Sequence, residues 1–199
     1  MKGDEAMCQA VTKKMKAAAF AAALAIIMFV AGCVTIGCRG WQNKLTAELP
    51  LLGHRNWILI VDSAYPAQSR AGIETIATGA DQIEVVKAVL KAVDDSKHVR
   101  AIVYLDAELK YVSRADAPGI EAYRKDLGAL LGKRTVRSLP HEELIAKINE
   151  AAKTFRVLIL KTNLTLPYTS VFLELDCGYW SSKSEQKLRQ AIRRANKRL

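Results

Sequence analysis

The chain is poor in cysteine: four residues in 199, none of them in a Cys-x-x-Cys pair. That excludes a disulfide framework and leaves no zinc motif. It also lacks a glycine-rich phosphate loop and a nucleophile elbow, which removes the common nucleotide-binding and serine-hydrolase classes. No internal repeat or low-complexity segment interrupts the domain. The longest uncharged run, residues 17–32, falls short of the ~20 apolar residues that a membrane-spanning helix needs. The formal net charge is +10, but the middle of the chain contributes little of that excess. Residues 183–199 carry seven Lys or Arg against Glu185, and residues 1–32 carry four Lys against Asp4 and Glu5, leaving 33–182 at only +2. A nucleic-acid groove loads its charge onto the folded body, so the nearly neutral body argues against nucleic acid as a partner.

The uncharged run follows Lys13, Lys14 and Lys16 and fits the core of a secretory signal, with Met15 as a plausible start. It ends in Val30-Ala31-Gly32-Cys33, which resembles a bacterial lipobox. Residues 1–32 are therefore expected to be a signal peptide and Cys33 the lipidated first mature residue. That predicts a cell-envelope protein held to the membrane by its lipid, facing periplasm or medium. An uncleaved anchor, a buried helix and a cytoplasmic chain are the alternatives. Residues 33–50 contain Gly37, Gly40 and Pro50, show little periodicity, and are expected to be a lipidated tether.

The rest has the pattern of one layered α/β/α domain, residues 51–182, around a central, mostly parallel sheet. Trp57 to Val61 is apolar and rich in β-branched residues, the mark of a strand covered on both faces. Further strands are expected at Ala101–Leu105, Arg156–Lys161 and Val171–Leu175. Helices are expected at Asp81–Val93, with Asp81 as N-cap, at Pro118–Leu131 and at Pro140–Thr154. Residues 183–199 repeat Leu188, Ala191, Ile192 and Ala195 on one helical face opposite Arg and Lys. This is a basic amphipathic helix, either lying on anionic lipid or docked on protein.

The stretch that organises the chain is Leu52-Gly53-His54, the first strand, and then Asp62-Ser63-Ala64-Tyr65-Pro66-Ala67. Asp62 stands at the carboxyl end of a strand, where open α/β sheets bind their ligands. This signature resembles that of the ribose pyranase and fucose mutarotase family, and the likeness runs to about Trp180. The resemblance implies an isomerase that interconverts pyranose and furanose forms, or anomers, of a ribose- or fucose-like sugar. It implies His54 as the catalytic proton donor and Asp62 as a sugar-binding aspartate. His141 matches the position of a binding histidine, and Tyr168 the tyrosine of a Tyr-x-Asn segment, catalytic and sugar-holding together. Ser170 takes the place of that segment's asparagine, a shorter group with one donor, which bears on the sugar more than on the reaction.

Opening a hemiacetal takes a proton from the anomeric hydroxyl and delivers one to the ring oxygen, with no metal or cofactor required. A histidine exchanges protons near neutral pH, and carboxylate or hydroxyl groups orient the sugar. Eight residues of extended chain would hold His54 and Asp62 roughly 26 Å apart at about 3.3 Å per residue. They can share a pocket only if the chain folds back or if two subunits build it. The resemblance implies the second, a ring-like homo-oligomer, typically a decamer, with sites between neighbours. Taken singly, each of these residues also has a purely structural explanation: a satisfied histidine, an Asx-turn aspartate, a packed tyrosine. The competing function class is a lipoprotein of the same fold that binds a monosaccharide without catalysis. A third class, a surface binder acting through the basic tail, would show salt-dependent binding.

Overall fold

The structure, a computed structural model, describes residues 40–196. The expected signal peptide and Cys33 lie outside the described residues. Within them the elements run α1 (Gly40–Glu48), β1 (Trp57–Val61), β2 (Ile73–Ala77), α2 (Gln82–Asp95), β3 (Val99–Asp106), α3 (Ile120–Leu131), β4 (Val136–Leu139), α4 (His141–Ala151), β5 (Val157–Lys161), β6 (Val171–Cys177) and α5 (Ser182–Asn196). Short 3₁₀ turns follow α1 and β3.

The six strands form one sheet in the order β2-β5-β1-β6-β3-β4. The pairs β1–β5, β2–β5 and β3–β4 are parallel, whereas β6 runs antiparallel to both of its neighbours. Five strands therefore point one way and β6 alone returns. The central strand β1 is buried along its whole length, and its side chains alternate between two cores. Ile58 and Ile60 join α1, α2 and α3 on one face. Trp57, Leu59 and Val61 join Leu144 and Ile148 of α4 on the other. This is the three-layer arrangement that the two-faced apolar strand predicts.

Local chemistry accounts for the helices. Asp81 caps α2 by accepting hydrogen bonds from the N–H groups of Ile83 (2.8 Å) and Glu84 (3.4 Å). Val85, Val86, Val89, Leu90 and Val93 then recur at helical spacing and are buried. Gly178 is needed where β6 passes the start of β3: a Cβ there would lie 2.7 Å from the Lys97 carbonyl oxygen.

Three elements depart from the expectation. The packed part starts before residue 51, because Gly40–Glu48 is helical and puts Trp41 and Leu45, each 3% exposed, into the core. Strands β2 and β4 were not anticipated; both are short edge strands, β2 paired only with β5 and β4 only with β3. Each buries too little of its length to produce an apolar run.

Candidate functional site

The carboxyl ends of the parallel strands carry the first group of candidate residues. Asp62 follows β1 directly, and its Oδ1 accepts from the Ala64 N–H at 2.8 Å, an Asx-turn that opens the next loop. Asp106 is the last residue of β3. His141 is the first residue of α4, set by Pro140 immediately after β4. Tyr168 lies just before β6, which starts at this same end of the sheet because it runs backwards.

Three of these side chains meet, and the charge of Asp62 reaches Asp106. His141 Nδ1 lies 3.1 Å from Asp106 Oδ1, and the His141 and Tyr168 rings pack edge to face with centroids 5.6 Å apart. The Glu108 carboxylate accepts from the His141 backbone N–H at 3.0 and 3.1 Å, satisfying and charge-balancing the start of α4. Burial pushes the Asp106 carboxyl up to about 6, against the downward pull of the His141 hydrogen bond and charge; the charges of Glu108 and Asp62 add to the rise. Burial likewise pushes the Tyr65 hydroxyl, in the Asp62 loop, up to about 12, so it stays protonated.

Tyr168 has a left-handed backbone, φ 55°. A bulky residue in that region carries strain, which persists only where neighbours hold it in place. The restraint is a buried polar network one residue on. The Thr169 carbonyl oxygen accepts from the Tyr123 hydroxyl at 2.6 Å and from the Gln82 amide. Gln82, itself fully buried, also accepts from Thr162 Oγ1 at 2.9 Å. Tyr168 is thereby presented outward, 41% exposed, while Ser170 is turned inward at 2%.

His54 is at the other end. It lies before β1, whereas Asp62 lies after it, and the strand between them is about 16 Å long at roughly 3.3 Å per residue. The register fixes its surroundings: Trp57 pairs with Glu174 and Arg100 with Asp176, so the end of β6 runs beside it. His54 Nδ1 lies 3.0 Å from Asp176 Oδ1, and Nε2 accepts from Arg55 Nε at 3.3 Å. Arg55, like Tyr168, has a left-handed backbone, φ 73°. Both non-glycine residues with positive φ among the described residues thus sit at or beside a candidate residue. Burial alone would push the Asp176 carboxyl up, but hydrogen bonds from Arg100 and the Cys177 N–H, with the charges of Arg100 and His54, hold it below the usual carboxylate range. A cleft of about 800 Å³ opens here, lined by His54, Arg100, Asp176, Tyr179, Trp180 and residues of α5.

One chain therefore brings Asp62, His141 and Tyr168 to a single shelf and leaves His54 at the opposite edge of the sheet. The sequence reading missed Asp106, Glu108 and Asp176. Asp106 had a readable signal, since it ends a strand as Asp62 does. Asp176 had none, because its pairing with His54 depends on the antiparallel register of β6.

Residues 41–177 of the chain match the RbsD / FucU transport protein family. No curated protein matches the chain. Among solved structures, Bacillus subtilis RbsD complexed with D-ribose is 21% identical with a TM-score of 0.47, over 66% of this chain and 89% of that one. The fucose mutarotase in complex with L-fucose from Streptococcus pneumoniae is also 21% identical, with a TM-score of 0.45 over 66% of this chain and 89% of that one. FucU from Bifidobacterium longum is 18% identical, with a TM-score of 0.45 over 66% and 92%.

Proposed function

The chain belongs to the RbsD / FucU transport protein family, and from that membership we propose that it is a monosaccharide pyranase or mutarotase. The reaction is ring opening and reclosure of a ribose- or fucose-like sugar, with His54 as proton donor and Asp62, His141 and Tyr168 holding the sugar. The observation that carries the reading is the shelf itself. A carboxylate, a carboxylate-bound histidine and an outward-facing tyrosine stand together at the carboxyl ends of the parallel strands, the edge where such sheets bind ligands.

The shelf is open. Tyr168 is 41% exposed and the His141 side chain 30%, so a single chain does not enclose a sugar. Its missing wall and its proton donor are supplied together if a second subunit presents its His54 edge to this shelf. The active unit is accordingly a homo-oligomer, decamer-like as the resemblance implies, with each site shared by two chains. Export and lipid attachment through Cys33 belong to the same proposal and would set the enzyme in the cell envelope, acting on sugar before its uptake.

The alternative, a sugar-binding lipoprotein without catalysis, draws support from Ser170, which is 2% exposed and so a poor substitute for a sugar-contacting asparagine. Saturation-transfer NMR on ribose, fucose and a small panel of sugars separates the two. A catalyst accelerates exchange for at least one sugar and loses that acceleration in His54→Ala while still binding. No acceleration by the wild type, with sugar still perturbing the protein spectrum, favours the binder.

A further inference from the structure

Asp106 is the most deeply buried carboxylate near the shelf. The residue is 2% exposed and its side chain 0%. Its Oδ1 faces His141 Nδ1 at 3.1 Å, and its Oδ2 is buried with no hydrogen-bond partner. A carboxylate in that position is costly unless an opposite charge or a donor offsets it. The titratable groups acting on it are His141, Glu108 and Asp62, and its own charge reaches the Tyr65 and Tyr123 hydroxyls. Of these only His141 can become positive.

An ionised carboxylate only accepts hydrogen bonds, so the imidazole nitrogen facing it must carry the proton. The proton therefore sits on Nδ1, and Nε2 keeps its lone pair. Nε2 makes no hydrogen bond to protein among the described residues, and the His141 side chain is 30% exposed on the same shelf as Tyr168. His141 is in this way set as a proton acceptor, with a buried anion behind it waiting for a positive charge. A carboxylate that orients a histidine and stabilises its imidazolium is a general device of acid–base catalysis.

We propose that His141 is the general base of ring opening and Asp106 its positioning residue, so that each site pairs a base from one subunit with the acid His54 from the next. This rests on the sugar-isomerising reading and assigns the second proton transfer within it. In the forward step the anomeric hydroxyl gives its proton to His141 Nε2 and the C1–O5 bond breaks. The electrons of the O–H bond form the C1 carbonyl, those of C1–O5 pass to O5, and O5 takes a proton from His54. His141 has gained one proton and His54 has lost one; reclosure returns both, and no oxidant, metal or co-reactant is consumed. The arrangement gives His54 a matching carboxylate, Asp176, behind its Nδ1. Arg55 donates to His54 Nε2, an arrangement that matches that nitrogen after it has given up its proton.

The test combines a tautomer measurement with kinetics on the full chain. The sequence has three histidines. His98 is tied to Ser96 Oγ and to the carbonyls of Leu49 and Leu52, so ¹⁵N-histidine labelling with His141→Gln assigns the His141 ring directly. In the wild type at pH 7.5 the proton is expected on Nδ1 with Nε2 bare, and in Asp106→Asn that preference is expected to weaken. The exchange rate at saturating sugar should fall at least tenfold in Asp106→Asn with KM within about twofold, the signature of an interaction made in the transition state. Wild-type tautomer and rate in Asp106→Asn would overturn the role of Asp106. A raised KM with an unchanged saturated rate would make His141 a binding group and overturn the base. If Asp106→Asn does not fold, the wild-type spectrum decides alone: a proton on Nε2 overturns the proposal. Absence of exchange in the wild type would instead overturn the isomerase reading beneath it.

Discussion

His54 and Asp62 stand at opposite ends of the same five-residue strand, His54 beside Asp176 at the amino edge and Asp62 beside the Asp106–His141 pair at the carboxyl edge. A monosaccharide is too small to bridge that strand. If both residues act on one sugar, they come from two chains, and activity then requires assembly. Light scattering at working concentration should show an oligomer, and dilution to the monomer should abolish exchange. A fully active monomer would contradict this.

Asp106 makes stability depend on pH with a definite sign. Its folded pKa of about 6 lies above its unfolded value, so the native state binds the proton more tightly between those pH values. The stability it contributes is full below the unfolded pKa, near pH 4, and is lost as pH rises through about 6. Asp106→Asn removes that loss. Its Tm at pH 8 should exceed that of the wild type while exchange falls, a trade of activity for stability. Thermal denaturation at pH 4, 6 and 8 measures it; a variant less stable at pH 8 with an unchanged pH slope would contradict it.

Asp176 acts with the opposite sign. Arg100, the Cys177 N–H and His54 overcome the cost of burial and depress its pKa. Its stabilisation is present above the unfolded carboxylate pKa and disappears as pH falls through the lower folded value. Asp176→Asn should therefore lose least relative to wild type in strong acid, near pH 2 to 3, and most at pH 6. Equal losses at both pH values would remove this account.

Gln82 is a stability position with a functional consequence. It joins Thr162, Tyr123 and the Thr169 carbonyl in a fully buried network, and Gln82→Ala leaves those partners short of hydrogen bonds. The expected cost is about 2 kcal/mol, read from denaturant midpoints, with sugar affinity reduced because Tyr168 is no longer held in its left-handed conformation. A loss below about 0.5 kcal/mol would show that the network does not restrain the loop.

The C-terminal helix makes a different prediction. None of its residues is buried, so deleting 183–199 should change global stability by less than about 0.5 kcal/mol. It should nevertheless alter binding at the His54 cleft, which Leu188 and Arg189 help to line. A large loss of stability would mean that the helix packs more deeply than these contacts indicate.

What could be read in advance follows from where each element buries its side chains. Strands β1, β5 and β6 lie inside the sheet: β1 is apolar throughout, β5 up to Lys161, and β6 opens on Val171-Phe172-Leu173, so each leaves an apolar run in the sequence. Strands β2 and β4 lie at the edges, half or fully exposed, and leave no such run. Helix α1 escaped because only Trp41 and Leu45 carry its packing. In the site, Asp62, His141 and Tyr168 were legible as an ordered set. Their companions depend on tertiary placement: Asp106 becomes significant only when α4 brings His141 to the end of β3, and Asp176 only through strand register.

The most direct test of shared catalysis is subunit complementation between His54→Ala and His141→Gln. Each pure variant is expected to have lost nearly all sugar exchange. Co-assembled oligomers, verified as mixed by native mass spectrometry, contain some sites that take intact His54 from one chain and intact His141 from the other. They should regain up to about a quarter of wild-type exchange, the statistical share of intact sites when each site draws on two chains. Mixed oligomers no more active than the two parents would contradict a site built from both subunits.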